Sequence, residues 1–237
     1  MNASAGINLD QAFVVRPIDI TTIWSILTQS VGQVTANAQC RDNMEREFQS
    51  AEQLNAYDNA SSRAIRVLSI RARSKDREIT ASLNFGSSYS DRIRVSLDGP
   101  EDALIIIRDR LYALFADMKP WYGLICRIDF FYVIWPLLVF MSIMVLAMSD
   151  SPRPSRALSF GEALKATGIA TIFFVGVGGA IWGLNRLRRR FFPEVVFAIG
   201  RGAERYDFDE NIRWVVIIGF VLSVLASLLV SFVAPPA

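Results

Sequence analysis

Residues 214–233 form a run of 20 without one charge. A helix rising about 1.5 Å per residue carries that run across roughly 30 Å, the depth of a bilayer's hydrocarbon core. Two further apolar runs precede it, at 130–148 and 166–184. Three apolar runs of this length constrain the chain more than any other feature. They predict an α-helical transmembrane region of three spans, preceded by a water-soluble half. The expected division is a cytoplasmic α+β domain over 1–127 and a transmembrane domain over 128–237, with spans near 130–148, 166–184 and 214–233 and a cytoplasmic loop at 185–213.

Charge supports this division. Residues 1–129 carry 15 Lys+Arg against 16 Asp+Glu, whereas 130–237 carry 10 against 7. The near-neutral first half lacks the basic surface that general nucleic-acid binding needs, so no nucleic-acid partner is expected. Residues 1–11 show no basic segment followed by an apolar one, so no signal peptide is expected and the first half should stay in the cytoplasm. Seven Arg lie between positions 186 and 213, while 150–165 holds only Arg153, Arg156 and Lys165. The positive-inside rule places the Arg-rich loop in the cytoplasm, the N-terminus on the same side and the C-terminus outside. The expected location is the inner membrane of a bacterium; 22 Arg to 3 Lys suits a GC-rich coding genome.

The soluble half shows period-2 patterning. Leu68, Ile70 and Ala72 alternate with polar residues, as do Ile79, Ala81, Leu83 and Phe85, then Ile93, Val95 and Leu97. Such alternation marks strands with one buried face. A two-residue loop at Lys75-Asp76 predicts pairing of Arg73 with Glu78 and Ile70 with Ala81. A five-residue loop over 86–90 predicts Leu83 opposite Ile93 and Ser82 opposite Arg94.

Helices should cover the apolar face. Gly99-Pro100-Glu101-Asp102 reads as a helix start, followed by Leu104, Ile107, Leu111, Leu114 and Met118 at helical spacing. An earlier helix is expected from Asp19 to Val34, with Ile20, Ile23, Trp24, Leu27 and Val31 inward, after a short strand over 12–16 ended by Pro17. Ser50-Ala51-Glu52-Gln53 resembles a capping box in an otherwise polar stretch over 35–62. The predicted order is β-α-(α)-β-β-β-α, an antiparallel β-meander with helices on one face.

In the second half, Trp121, Tyr122, Phe130, Phe131, Tyr132 and Trp135 are expected in an aromatic belt at headgroup level. Pro136 should kink the first span or start it afresh. Gly179 and Gly183 in the second span, and Gly219, Ser223, Ser227 and Ser231 in the third, recur every four residues and predict close helix packing. The sharper alternative for the Ser stripe is a pore lining. Arg186, Arg188, Arg189 and Arg190 are expected to set topology and hold anionic headgroups, at roughly 1 kcal/mol per residue. Residues 195–199 read as a short strand that could add to the soluble sheet, and 205–211 as an interfacial helix leading into the third span.

One candidate ligand site emerges. Arg71, Arg73, Arg92 and Arg94 fall on the solvent side of the strands, near Glu78 and Asp98. Guanidinium groups so gathered suit a small anionic ligand, an acidic partner or lipid headgroups; cross-strand ion pairs on a solvated face are the plainer reading. With no His and two Cys, the chain presents no catalytic, metal or cofactor signature. The expectation is a non-enzymatic membrane effector or sensor, self-associating or joined to another membrane subunit. The alternative is a structural accessory subunit that anchors a larger membrane complex.

Overall fold

The computed structural model describes residues 2–76, 78–86, 92–148 and 160–233. The fold is mixed α+β. The chain forms two compact units, Met1–Gly123 with Glu194–Ala237, and Leu124–Pro193.

The first unit is built on an antiparallel six-stranded sheet. Its strands are β1 (Asn2–Leu9), β3 (Gln33–Cys40), β4 (Glu45–Phe48), β5 (Ile65–Arg73), β6 (Thr80–Phe85) and β7 (Ile93–Pro100), in the order β1-β7-β6-β5-β3-β4. Three of these strands were expected. The β3–β4 hairpin and β1 were not. Val34, Ala36, Ala38 and Cys40 do alternate with polar residues, and all four are buried. Alanine carries too little apolar surface to raise that pattern above its polar setting.

The alternation placed the correct side chains inward but misjudged both registers by two residues. Arg73 pairs with Thr80 and Ile70 with Leu83, not with Glu78 and Ala81. Leu83 pairs with Val95 and Phe85 with Ile93, so Leu83–Ile93 and Ser82–Arg94 are not partners. A shift of two preserves every inward face, so periodicity cannot detect it. Loop closure decides it: Ser74 N–H donates to Ile79 O at 3.0 Å, so the first loop is wider than anticipated, and Gly86 N–H donates to Arg92 O at 2.7 Å, so the second closes one residue later on each strand.

Helix α1 (Pro17–Ser30) opens two residues before Asp19 and ends before Val34, which belongs to β3. Asp19 accepts the Arg16 N–H at 2.8 Å, satisfying one of the orphan donors at the helix start. In the short α2 (Ala51–Asn55), Ser50 accepts from Gln53 N at 3.3 Å, while the Gln53 side chain reaches back to Gln49 N rather than to the cap residue. Helix α3 (Glu101–Asp117) buries Leu104, Ile107, Leu111 and Phe115. These residues join Ile20, Ile23 and Leu27 of α1 against Leu68, Ile70, Leu83, Val95 and Leu97 in one core.

A second, two-stranded parallel sheet pairs β2 (Phe13–Val15) with β8 (Val195–Phe197). Thus β8 does not extend the main sheet as expected. It is tied to the core by aromatic packing instead: Phe13 lies 6.3 Å from Phe197 and 5.7 Å from Phe85, which lies 6.1 Å from Phe115, all edge-on. From β8 the chain enters α6 (Arg201–Val233), one continuous helix of 33 residues. The polar stretch 205–211 is helical and runs without a break into the apolar run 214–233.

The second unit contains α4 (Phe130–Met148) and α5 (Phe160–Phe191). Helix α4 runs on through Pro136; the break lies upstream, at residues 128–129, after a 3-10 stretch Trp121–Arg127. The start of α4 is capped from α5: Phe130 N–H donates to Asn185 Oδ1 at 3.2 Å, and Asn185 Nδ2 donates to Asp129 Oδ1 at 2.8 Å. The Phe131 N–H and this amide hold the Asp129 carboxyl below its ordinary range. Most of the expected 150–165 loop, and part of the 86–90 loop, lie outside the described residues.

Among the described residues, Arg201–Ser227 is the one helix long and apolar enough by itself to cross a membrane, with mean hydropathy 1.6. The bent pair Trp121–Arg127 and Phe130–Met144 meets the same criterion if counted together.

Candidate functional site

The observed register arranges the outer face of the six-stranded sheet in polar rows. One row runs Gln33, Arg73, Thr80, Asp98, Ser4 from strand to strand; the next runs Thr35, Arg71, Ser82, Ser96, Gly6. A third contains Asn37, Ser69, Asn84 and Arg94, where Ser69 Oγ donates to Asn84 Oδ1 at 2.5 Å and Asn84 Nδ2 to Ser82 Oγ at 3.3 Å. The first two rows, apart from Ser4 and Gly6 on β1, line a concavity of about 520 Å3.

This arrangement divides the four expected arginines. Arg71 and Arg73 are exposed, line the concavity and make no ion pair or side-chain hydrogen bond among the described residues. Asp98 and the hydroxyls of Thr35, Thr80, Ser82 and Ser96 line it with them. Arg92 is structural: it bridges Asp10 at 2.5 Å and Glu194 at 2.5 Å, fastening the segment before β8 to the start of β7. Arg94 lies in the third row, outside the lining. Sequence reasoning found the two arginines but missed the surrounding hydroxyls, which only the true register gathers.

A second cluster roots α6 in the α+β fold. Asn59, buried and held at φ +45°, donates from Nδ2 to Phe197 O at 2.9 Å and accepts the Ile65 N–H at 2.9 Å. The Arg201 N–H donates to Asp58 O, its guanidinium pairs with Asp58 at 3.1 Å, and Arg205 donates to Asn59 O at 2.8 Å. Gly202 is obligatory here, because a Cβ would lie 2.4 Å from Phe197 O and 2.5 Å from Asn59 Nδ2. Further along α6, the Arg213 side chain is buried between the rings of Tyr122 at 4.4 Å and Tyr206 at 5.0 Å. The guanidinium lies against both ring faces, which attract its charge. Tyr122 is therefore a buried seat for Arg213 and not a belt residue. Trp121 stacks on Trp214 at 5.2 Å. No sequence periodicity announces this cluster; the signal the sequence does hold is Gly200-x-Gly202 directly after the strand residues.

The arginines ending α5 are not equivalent. Arg188 donates to Cys126 O at 2.7 Å and to Ile128 O, closing carbonyls left open where the 3-10 stretch ends. Arg186 covers the Trp182 ring at 5.3 Å, and Arg189 is exposed. Arg190 lies on the same last turn, where cations suit the helix dipole. At Gly179, Gly183 and Gly219 a Cβ would meet nothing within 4 Å among the described residues. Ser223 Oγ donates to Gly219 O at 2.8 Å, so its hydrogen is spent within its own helix. Ser227 is exposed, and the side chain of Ser231 lies outside the described residues.

Among the described residues no group of three His, Cys, Asp or Glu could hold a metal ion, and Cys40 and Cys126 are both buried thiols outside any disulfide. No protein-family model, curated protein or solved structure matches this chain.

Proposed function

We propose that this chain is a non-enzymatic bacterial inner-membrane protein with three transmembrane spans. Its cytoplasmic α+β domain receives a ligand or partner and acts on the bilayer through its helices, as a sensor or membrane effector. The observation that carries this reading is α6. One unbroken helix begins in the Asn59–Gly202 clamp and ends in the apolar run 214–233, so a shift in the domain is delivered along a rigid rod. The outer sheet face offers the receiving site. Self-association through the small-residue faces would let several such helices act together.

Topology is tested by labelling intact cells with a membrane-impermeant maleimide. Cys40 and Cys126 are buried and give little background. Gly161→Cys should label from outside and Lys75→Cys should be protected; the reverse pattern overturns the orientation. Transmission is tested by expressing the protein in cells loaded with a membrane-potential dye. Depolarisation should be lost in Asn59→Ala protein that still inserts. Cells that keep full polarisation under every level of expression contradict an effector role.

A further inference from the structure

We propose that the concavity on the outer sheet face binds a small phosphorylated polyol, such as a sugar phosphate, as the ligand of the sensing domain. This rests on the sensor reading above and specifies what it senses.

Four features select that class. Arg71 and Arg73 sit two residues apart on one face of β5, about 7 Å along the strand, and neither meets a carboxylate among the described residues. Two like charges so placed repel until an anion lies between them, and guanidinium forks match phosphate oxygens. Asp98 lies in the row of Arg73 but two strands away, roughly 10 Å across the sheet. A ligand reaching from the arginines to Asp98 is anionic at one end and a hydrogen-bond donor at the other. The hydroxyls of Thr80, Ser82 and Ser96 lie between and can donate or accept.

The lining also rules against other occupants. Among the described residues no aromatic side chain lines the concavity, and Ala72 and Ala81 turn their side chains into the core on the other face, so a nucleobase would find no ring to stack on. An extended polyanion, an acidic peptide or an anionic lipid surface would set negative charge against Asp98. The volume of about 520 Å3 falls within the range of small-molecule sites.

The test is isothermal titration calorimetry on the full-length protein in neutral detergent, which needs no membrane orientation. Glucose 6-phosphate and ribose 5-phosphate are the probes, with glucose and inorganic phosphate for comparison. At least one sugar phosphate should bind about tenfold more tightly than inorganic phosphate, and glucose should not bind. Arg71→Gln/Arg73→Gln should weaken that binding at least about tenfold, whereas the exposed Arg110→Gln on α3 should not. Asp98→Asn should weaken the sugar phosphate and spare inorganic phosphate. All these side chains are exposed, and matching thermal melts verify that each variant folds. The proposal is overturned if neither sugar phosphate binds at millimolar concentration, if inorganic phosphate binds as tightly, or if the double variant retains affinity. Displacement of the sugar phosphate by phosphatidylglycerol nanodiscs would also overturn it in favour of a lipid headgroup. A failed topology experiment with binding intact would instead remove the membrane-sensor reading and leave the site standing.

Discussion

Gly202→Ala separates local propensity from tertiary packing, because the two predict opposite signs. Position 202 lies in the first turn of α6, and replacing a helical Gly with Ala ordinarily stabilises by up to about 1 kcal/mol. Here the added Cβ would lie 2.4 Å from Phe197 O and 2.5 Å from Asn59 Nδ2. Carbon–oxygen contacts settle at about 3.3 Å or more, so the helix must retreat from Phe197 O by about 0.9 Å and the Asn59 amide must give up its place. Overpacking costs about 1–3 kcal/mol. Losing the 2.9 Å bond from Asn59 to Phe197 O strands a buried amide at about 1–3 kcal/mol more. With the propensity gain subtracted, the net loss is about 1–5 kcal/mol. At roughly 2–4 °C per kcal/mol, a central value of about 3 kcal/mol lowers Tm by roughly 6–12 °C. Intrinsic tryptophan fluorescence during thermal unfolding in detergent reads this directly, since Trp121 and Trp214 stack on each other in the same unit. In an Asn59→Ala background the penalty of Gly202→Ala should shrink by at least about 0.5 kcal/mol, as expected of contacting residues. An unchanged or raised Tm for Gly202→Ala would refute the clamp.

Two further outcomes are expected. Burial holds the Asp19 carboxyl above its ordinary value, against the opposing pull of the Arg16 N–H. The folded state then binds the proton more readily, so the contribution is complete below the ordinary carboxylate range and lost as pH rises through the folded pKa. Asp19→Asn keeps an acceptor for Arg16 N and should gain stability relative to the wild type as pH rises through that window, while Asp19→Ala should lose about 1 kcal/mol with the cap; urea unfolding in which the wild type instead gains on Asn with pH would reject this sign. On α6, Ser223→Ala should leave disulfide crosslinking from Ser227→Cys unchanged, because the Ser223 hydroxyl is already bonded to Gly219 O, whereas Ser223→Leu should abolish it; equal damage from Ala would favour a pore-lining hydroxyl.

By itself the sequence determined local quantities that repeat at a fixed period. Alternation put Leu68, Ile70, Leu83, Val95 and Leu97 inward, and all five are buried. Helical spacing found the inward face of α3, and the uncharged run 214–233 gave the apolar length of α6. Tertiary structure decided what periodicity leaves degenerate. A strand slipped by two keeps its faces, so only the loop bonds at Ser74 and Gly86 fixed which polar residues stand beside Arg71 and Arg73. Strands built on Ala and Gly, such as β1 and β3, carry too little apolar contrast to be read until partners cover them. Arg92 and Arg94 differ by two positions and look alike in sequence, yet Glu194, 102 residues away, claims Arg92 for the fold. Arg213 reads as one more topology charge until Tyr122 and Tyr206 close over it. Glu194 and Tyr122 are distant in the chain from the arginines they hold, and even the short loop bonds form only once the strands have paired; no local pattern encodes a contact that exists only once the chain has closed on itself.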